Sequence, residues 1–188
     1  RLLSSVREDA KKLPVKITEQ AVQELEKRMT KESDVYYANS TAIRLAARHA
    51  DHFVFCNRGL NGIEGSLSTA VGASLVSEGN VYCVIGDLSF FYDQNALWNM
   101  HLKPNLRILL LNNGGGEIFK RLPGLENSPA RDEYVMASHH TTAVGACHQY
   151  GISRKAISKA EDISKAIDWL TEEGGNAARL LEVAITNY

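Results

Sequence analysis

Two short apolar runs limit what this chain can fold into: Val81-Tyr82-Cys83-Val84-Ile85 and Arg107-Ile108-Leu109-Leu110-Leu111. Each has the length of a strand, and neither alternates between apolar and polar positions. Strands that lack a polar face are buried on both sides, which is the condition of a parallel sheet covered by helices. Asp87 closes the first run and Asn112-Asn113 closes the second. As parallel neighbours, the two strands deliver those side chains to the same edge of one sheet.

The same rhythm runs through the rest of the chain. Val35–Ala38 reads as a strand, followed by Asn39-Ser40-Thr41 and a helix through Arg48. His52–Cys56 reads as a second strand ending in Asn57-Arg58-Gly59. The turn from Gly59 to Gly65 then opens a helix from Ser66 to about Val76. Helices are expected over Asp93–Leu102, Thr142–Tyr150 and Glu161–Leu170, and strands over Ser153–Ala156 and Arg179–Ile185. Short apolar strands alternating with helices are the pattern of βαβ units. The expected fold is a doubly wound α/β domain: a mainly parallel sheet of about six strands with helices on both faces. Residues 120–140, with Pro123, Gly124 and Pro129, break the rhythm and read as an ordered loop or lid.

Residues 1–33 are charge-rich, and Pro14 divides two candidate helices. The second runs from Thr18 to about Met29, with Val22, Leu25 and Met29 on one stripe and Thr18 as N-cap. This segment reads as a connector or peripheral helix, with the domain proper at 34–188. The chain opens on Arg1 rather than Met, and the expectation is a piece of something longer.

Composition closes off several classes of function. A 44% hydrophobic and 23% charged chain is an ordinary globular one. A net charge of −1 supplies no field for nucleic acid or an anionic membrane. No apolar run reaches the roughly 20 residues that span a bilayer. Cys56, Cys83 and Cys147 show no metal-ligand spacing and read as reduced thiols, which favours a cytoplasmic protein.

Ligands of open parallel sheets gather beyond the carboxyl ends of the strands. Four polar turns fall there: Asn39-Ser40, Asn57-Arg58-Gly59, Gly86-Asp87-Leu88-Ser89 and Asn112-Asn113-Gly114-Gly115-Gly116. An aspartate, an asparagine carbonyl and a backbone carbonyl are hard oxygen donors of the kind Mg²⁺ takes. Glycines allow close backbone approach, and helix starts favour a diphosphate. Singly, an Asp after a strand is more often an N-cap and an Asn-Asn-Gly run more often a plain turn. Together they specify more. The first strand carries no dinucleotide-binding glycine fingerprint, since Asn39-Ser40-Thr41 stands in its place.

That combination resembles the cofactor-binding motif of thiamine-diphosphate enzymes, in which Gly-Asp is followed, a strand-helix-strand length later, by Asn-Asn. Leu88 stands where the common motif has glycine. Gly86-Asp87-Leu88-Ser89 with Tyr92-Asp93-x-Asn95-Ala96-Leu97 is similar to the menaquinone-pathway branch of that family. So are Asn39-Ser40 with Arg44, the Asn57–Gly65 turn, and Asn113-x-Gly115-Gly116-x-Ile118-Phe119. The resemblance implies a transferase domain that binds thiamine diphosphate through Mg²⁺ or Mn²⁺. Asp87, Asn113 and Gly115 would be the metal ligands. Asn39, Ser40, Gly86, Leu88, Ser89 and Gly116 would surround the cofactor, Ile63 would sit under it, and Ile118 and Phe119 would line the pocket. Arg44 and Arg58, with Ile118 and Leu122, would face substrate, and guanidinium groups suit bidentate carboxylate recognition.

The resemblance further implies that 2-oxoglutarate is decarboxylated and the succinyl-semialdehyde carbanion is added to isochorismate. No catalytic residue is assigned to this chain. The activating glutamate is expected on an N-terminal domain from a partner subunit, in a homodimer or homotetramer, so these residues alone are expected to be inactive. Two alternatives stand beside this reading: another carboligase, acetolactate-synthase-like, and a non-catalytic nucleotide-binding or subunit-contact module. His139-His140 is expected to face solvent or cap a turn, and Asp93 and Glu117 to make local hydrogen bonds.

Overall fold

The computed structural model describes residues 16–59, 62–125 and 127–185. The candidate helix before Pro14 lies outside them. Five parallel strands form one sheet: β1 (Asp34–Tyr37), β2 (Val81–Gly86), β3 (Leu106–Asn112), β4 (Ser153–Ile157) and β5 (Arg179–Ala184), in the order β1-β2-β3-β5-β4. Register pairs Cys83 with Ile108 and Leu109 with Leu181. All seven residues of β3 are buried, as a central strand covered on both faces must be. β4, at the edge, leaves Ser153, Lys155 and Ala156 exposed.

The sixth expected strand shrinks to one bridge. Phe55 pairs with Tyr36 alone, through Tyr37 N–H to Phe55 O at 2.8 Å and Phe55 N–H to Val35 O at 2.9 Å. Among the described residues His52–Cys56 has only β1 beside it, so half its backbone groups face away from any strand partner. The Tyr36 and Phe55 rings stack at 4.6 Å to hold the contact.

Two sets of helices cover the sheet. α1 (Ile17–Glu26), α2 (Thr41–His49) and α6 (Ile163–Thr171) pack together, while α3 (Ser66–Val76), α4 (Asp87–Asp93) and α5 (Val144–Tyr150) lie apart from them. α1 buries Thr18, Ala21, Val22 and Leu25, the i, i+3, i+4, i+7 stripe of a core-facing helix. Thr18 is therefore inside the helix and buried, and Lys16 holds the N-cap position without a side-chain cap. Arg28 fastens α1 to α6 through Asp168 at 2.6 Å.

One boundary departs far from its expected position. The helix after β2 begins at Asp87 rather than Asp93, and Gln94–Trp98 continues it as a tighter 3₁₀ turn. Gly86 holds an extended N-cap conformation, so Asp87 enters the first helical turn directly. Asp93 is freed to reach back to α3, accepting Ser68 N–H at 2.8 Å and Ser68 Oγ–H at 2.6 Å. Among the described residues no helix is long and apolar enough to cross a membrane.

Candidate metal and diphosphate site

The carboxyl ends of β2 and β3 meet at Asp87. Its side chain is buried at 3% exposure, with Oδ1 accepting Leu88 N–H at 2.8 Å and Oδ2 accepting Gly115 N–H at 2.9 Å. Burial pushes its pKa above the usual carboxylate value, against the opposing pull of those N–H groups. Asn112 remains inside β3, and Asn113 is the first residue to emerge. The Nδ2–H of Asn113 donates to Glu117 Oε2 at 3.2 Å, leaving its Oδ1 for other partners. Gly115 O accepts Glu117 N–H at 2.9 Å, and a carbonyl has a second lone pair.

The glycines of this turn have a use the sequence reading did not anticipate. Gly115 has φ +142, and a Cβ there would lie 2.8 Å from Met136 O and 3.2 Å from Ser138 Cα. A Cβ on Gly116 would meet the Phe119 ring at 2.7 Å and Met136 O at 3.3 Å. What approaches closely is the chain itself: residues 136–139 lie on the turn as a strap. Gly116 N–H donates to Met136 O at 2.7 Å, and His139 N–H donates to Gly114 O at 3.0 Å. The segment read as a loop or lid thus contains the piece that shapes the site.

A second group of residues converges beside the first. Asn39, after β1, donates through Nδ2 to Asn57 O at 2.8 Å and Gly62 O at 2.5 Å. Its Oδ1 accepts from Arg58 Nη1 at 3.1 Å. Ser40 has φ 72, an uncommon conformation for a residue with a side chain. Ser89 Oγ–H donates to Ile63 O, tying the apolar residue to the first turn of α4. Nothing lies within 4 Å of a Cβ built on Gly86, so the space beside that turn is open. Ile118 and Phe119 are half-buried in the 3₁₀ turn Glu117–Arg121. Arg44 is exposed on α2, and Leu122 is 43% exposed, its backbone N–H donating to Phe119 O at 3.2 Å.

The Asp87 carboxylate, Asn113 Oδ1 and the Gly115 carbonyl are oxygen donors on two adjacent strand ends, and that chemistry fits a hard divalent cation. A cation there would offset the desolvation of Asp87. Among the described residues no group of three or more His, Cys, Asp or Glu side chains could hold a metal, as expected for a set with one carboxylate.

Around this centre the expectations for Glu117 and His140 hold, and that for His139 holds in part. Glu117 bonds locally to Asn113 and also pairs, across the fold, with Lys16. His140 is exposed. His139 caps the following turn, its Nδ1 accepting Thr141 N–H at 3.0 Å, yet its ring turns inward and its Nε2 lies 3.2 Å from Asp87 Oδ2. Glu182 was not singled out at all. It is fully buried on β5, where it accepts from Asn112, Ala143 and Arg154. Its only sequence signal is a charge inside the apolar run Leu180–Ala184.

Residues 37–180 match the family described as thiamine pyrophosphate enzyme, C-terminal TPP binding domain. The chain is 46% identical over 155 residues to the 2-succinyl-5-enolpyruvyl-6-hydroxy-3-cyclohexene-1-carboxylate synthase of Bacteroides thetaiotaomicron, covering 81% of this chain and 28% of that protein. With the synthase of the same description from Christiangramia forsetii it shares 42% over 166 residues, covering 87% of this chain and 29% of that protein. The sequence thus spans under a third of the length of those relatives. Its fold matches a thiamine diphosphate-dependent 4-hydroxybenzoylformate decarboxylase from Rhodococcus jostii with a TM-score of 0.70, at 21% identity, over 92% of this chain and 33% of that one.

Proposed function

This chain belongs to the thiamine pyrophosphate enzymes as a C-terminal TPP-binding domain, and from that premise we propose that it holds the Mg²⁺-diphosphate end of the cofactor in a synthase of menaquinone biosynthesis. The reaction proposed for the whole enzyme decarboxylates 2-oxoglutarate and joins the resulting four-carbon unit to isochorismate. The observation that carries the reading is the 2.9 Å bond from Gly115 N–H to Asp87 Oδ2, which joins the ends of two adjacent parallel strands. The 46% identity to a synthase of that description supports the choice of substrates.

Thiamine diphosphate, when bound, supplies the electron sink for decarboxylation and carbon–carbon bond formation. The residues of this chain bind and orient. Asp87, Asn113 and Gly115 hold the cation (Mg²⁺, or Mn²⁺ in its place). Asn39, Ser40, Gly86, Leu88, Ser89 and Gly116 surround the diphosphate. Ile63, held by Ser89, is the apolar rest beneath the cofactor, and Ile118 and Phe119 close the pocket against water. Arg44 and Arg58 receive the substrate carboxylates, and Ile118 and Leu122 give the substrate apolar contact. Residues 34–188 form this domain and 1–33 the connector. The activating glutamate belongs to an N-terminal domain of the same protein from a partner subunit, in a cytoplasmic homodimer or homotetramer.

Titration calorimetry with thiamine diphosphate tests the site. Binding is expected with Mg²⁺, and its loss is expected with a chelator or in Asp87→Ala. Binding that ignores the metal, or no binding at all, would sink the proposal.

A further inference from the structure

One nitrogen of His139, Nε2, is left over from the bonds that the fold makes with this residue. Its backbone N–H is used on Gly114 O at 3.0 Å, and its Nδ1 accepts Thr141 N–H at 3.0 Å. A neutral imidazole with Nδ1 as acceptor carries its proton on Nε2. That Nε2 is buried and has no hydrogen-bond partner. It nevertheless lies 3.2 Å from Asp87 Oδ2, within ion-pair range but out of alignment for a hydrogen bond. The ring is braced edge-on against Phe91, 5.5 Å between centroids at 87°. A buried donor aimed beside a buried carboxylate, and missing it only in angle, is an unexplained feature of the packing.

We propose that His139 is a positioning residue for the metal site: its Nε2–H fixes the Asp87 carboxylate in the rotation that presents an oxygen to the divalent cation. The inference rests on the metal-holding role proposed above for Asp87. Carboxylates that ligate metals are themselves held by outer hydrogen bonds, and removing such a bond typically lowers metal affinity about 10- to 100-fold. Rotation of Asp87 toward a cation supplies the alignment that the contact lacks, as site hydrogen bonds often tighten only on loading. His139 does not ligate the metal. It acts through Asp87, and it reaches Asp87 because the strap 136–139 is bonded to Gly114 and Gly116.

The test measures Mn²⁺ affinity by paramagnetic resonance, in the presence of thiamine diphosphate, for the parent and three variants. His139→Leu removes the donor. His139→Gln restores an amide N–H near the Nε2 position, whereas His139→Asn carries its N–H too short to reach Asp87. Mn²⁺ affinity is expected to fall about 10- to 100-fold in His139→Leu and His139→Asn and to recover most of that loss in His139→Gln. Melting temperatures in chelator should be alike for the Asn and Gln variants, which separates positioning from folding. Equal Mn²⁺ affinity in the Asn and Gln variants overturns the inference while leaving the metal site standing. A parent that binds no Mn²⁺ overturns both.

Discussion

Glu182 accepts the Nδ2–H of Asn112 at 2.7 Å with neither side chain reaching solvent. Asn112 also donates to Thr141 O at 2.9 Å and accepts Gly114 N–H at 3.2 Å. One carboxylate on β5 thereby anchors the residue just before Asn113 and, through Ala143 N–H at 3.2 Å, the segment just after His139. The turn and the strap that covers it are fixed from the same buried point.

Glu182 is also paired with Arg154, 2.5 Å away on the edge strand β4. Removing one partner of a buried pair typically costs about 3–5 kcal/mol, because the other charge is left without compensation. Glu182→Ala is expected to lose stability on that scale. For a domain of this size it corresponds to a melting temperature lower by roughly 6–20 °C. Thermal denaturation checks it, and a variant melting within about 2 °C of the parent would show the network to be dispensable.

Two glycines make opposite predictions for the same substitution. Gly115→Ala forces a side chain into a φ of +142 and against Met136 O at 2.8 Å. A cost of about 1–3 kcal/mol in stability is expected, with weaker Mg²⁺-dependent cofactor binding. Gly72 sits inside α3, exposed, with open space where a Cβ would stand. Gly72→Ala is expected to stabilise by about 0.5–1 kcal/mol. Urea unfolding of both variants decides the matter, and equal effects of one sign would refute the strap packing.

The sheet was legible because its strands are apolar on both faces, as in Val81–Ile85 and Arg107–Leu111, and nothing but burial accounts for that pattern. The outer piece was not. His52–Cys56 has the composition of a strand, but an edge offers one neighbour and only Phe55 pairs. The polar turns announced Asp87 and Asn113, since oxygen donors at strand ends are a local signal. His139 and Glu182 gave no local signal. His139 comes to Asp87 across the loop that follows β3, and Glu182 reaches Asn112 across the β3–β5 pairing; both depend on tertiary contacts that spacing does not encode.

The three thiols are expected to react in a definite order. Burial pushes Cys83 up to about 12 and Cys147 up to about 11, and both are enclosed by the core. Cys56 is half-buried, and burial raises it as well. A disulfide reagent near pH 8 should therefore label Cys56 first in the folded protein and all three only on unfolding. Since folding favours the protonated thiols, their contribution to stability is whole below the ordinary thiol range. It is lost as pH rises toward about 11 for Cys147 and about 12 for Cys83. Mass spectrometry of partially labelled protein checks the order, and prior labelling of Cys83 would contradict it.

The arginines offer the test of the proposed substrate. Arg58 donates to Asn39 Oδ1 at 3.1 Å, so its guanidinium is held beside the turn after β1 with further N–H groups to spare. Arg44 projects from α2, which starts one residue after Ser40. A charge-assisted hydrogen bond contributes about 1.5–3 kcal/mol, or roughly 10- to 150-fold in affinity. In the complete enzyme, Arg58→Ala and Arg44→Ala are each expected to raise KM for isochorismate on that scale. Lys at either position should recover only part, because the ammonium has no planar fork. Thiamine diphosphate affinity should be unchanged in Arg44→Ala, which lies clear of the Asn39 bonds. Isochorismate and 2-oxoglutarate dependence that matches the parent in both Ala variants would point instead to a carboligase of a different substrate class.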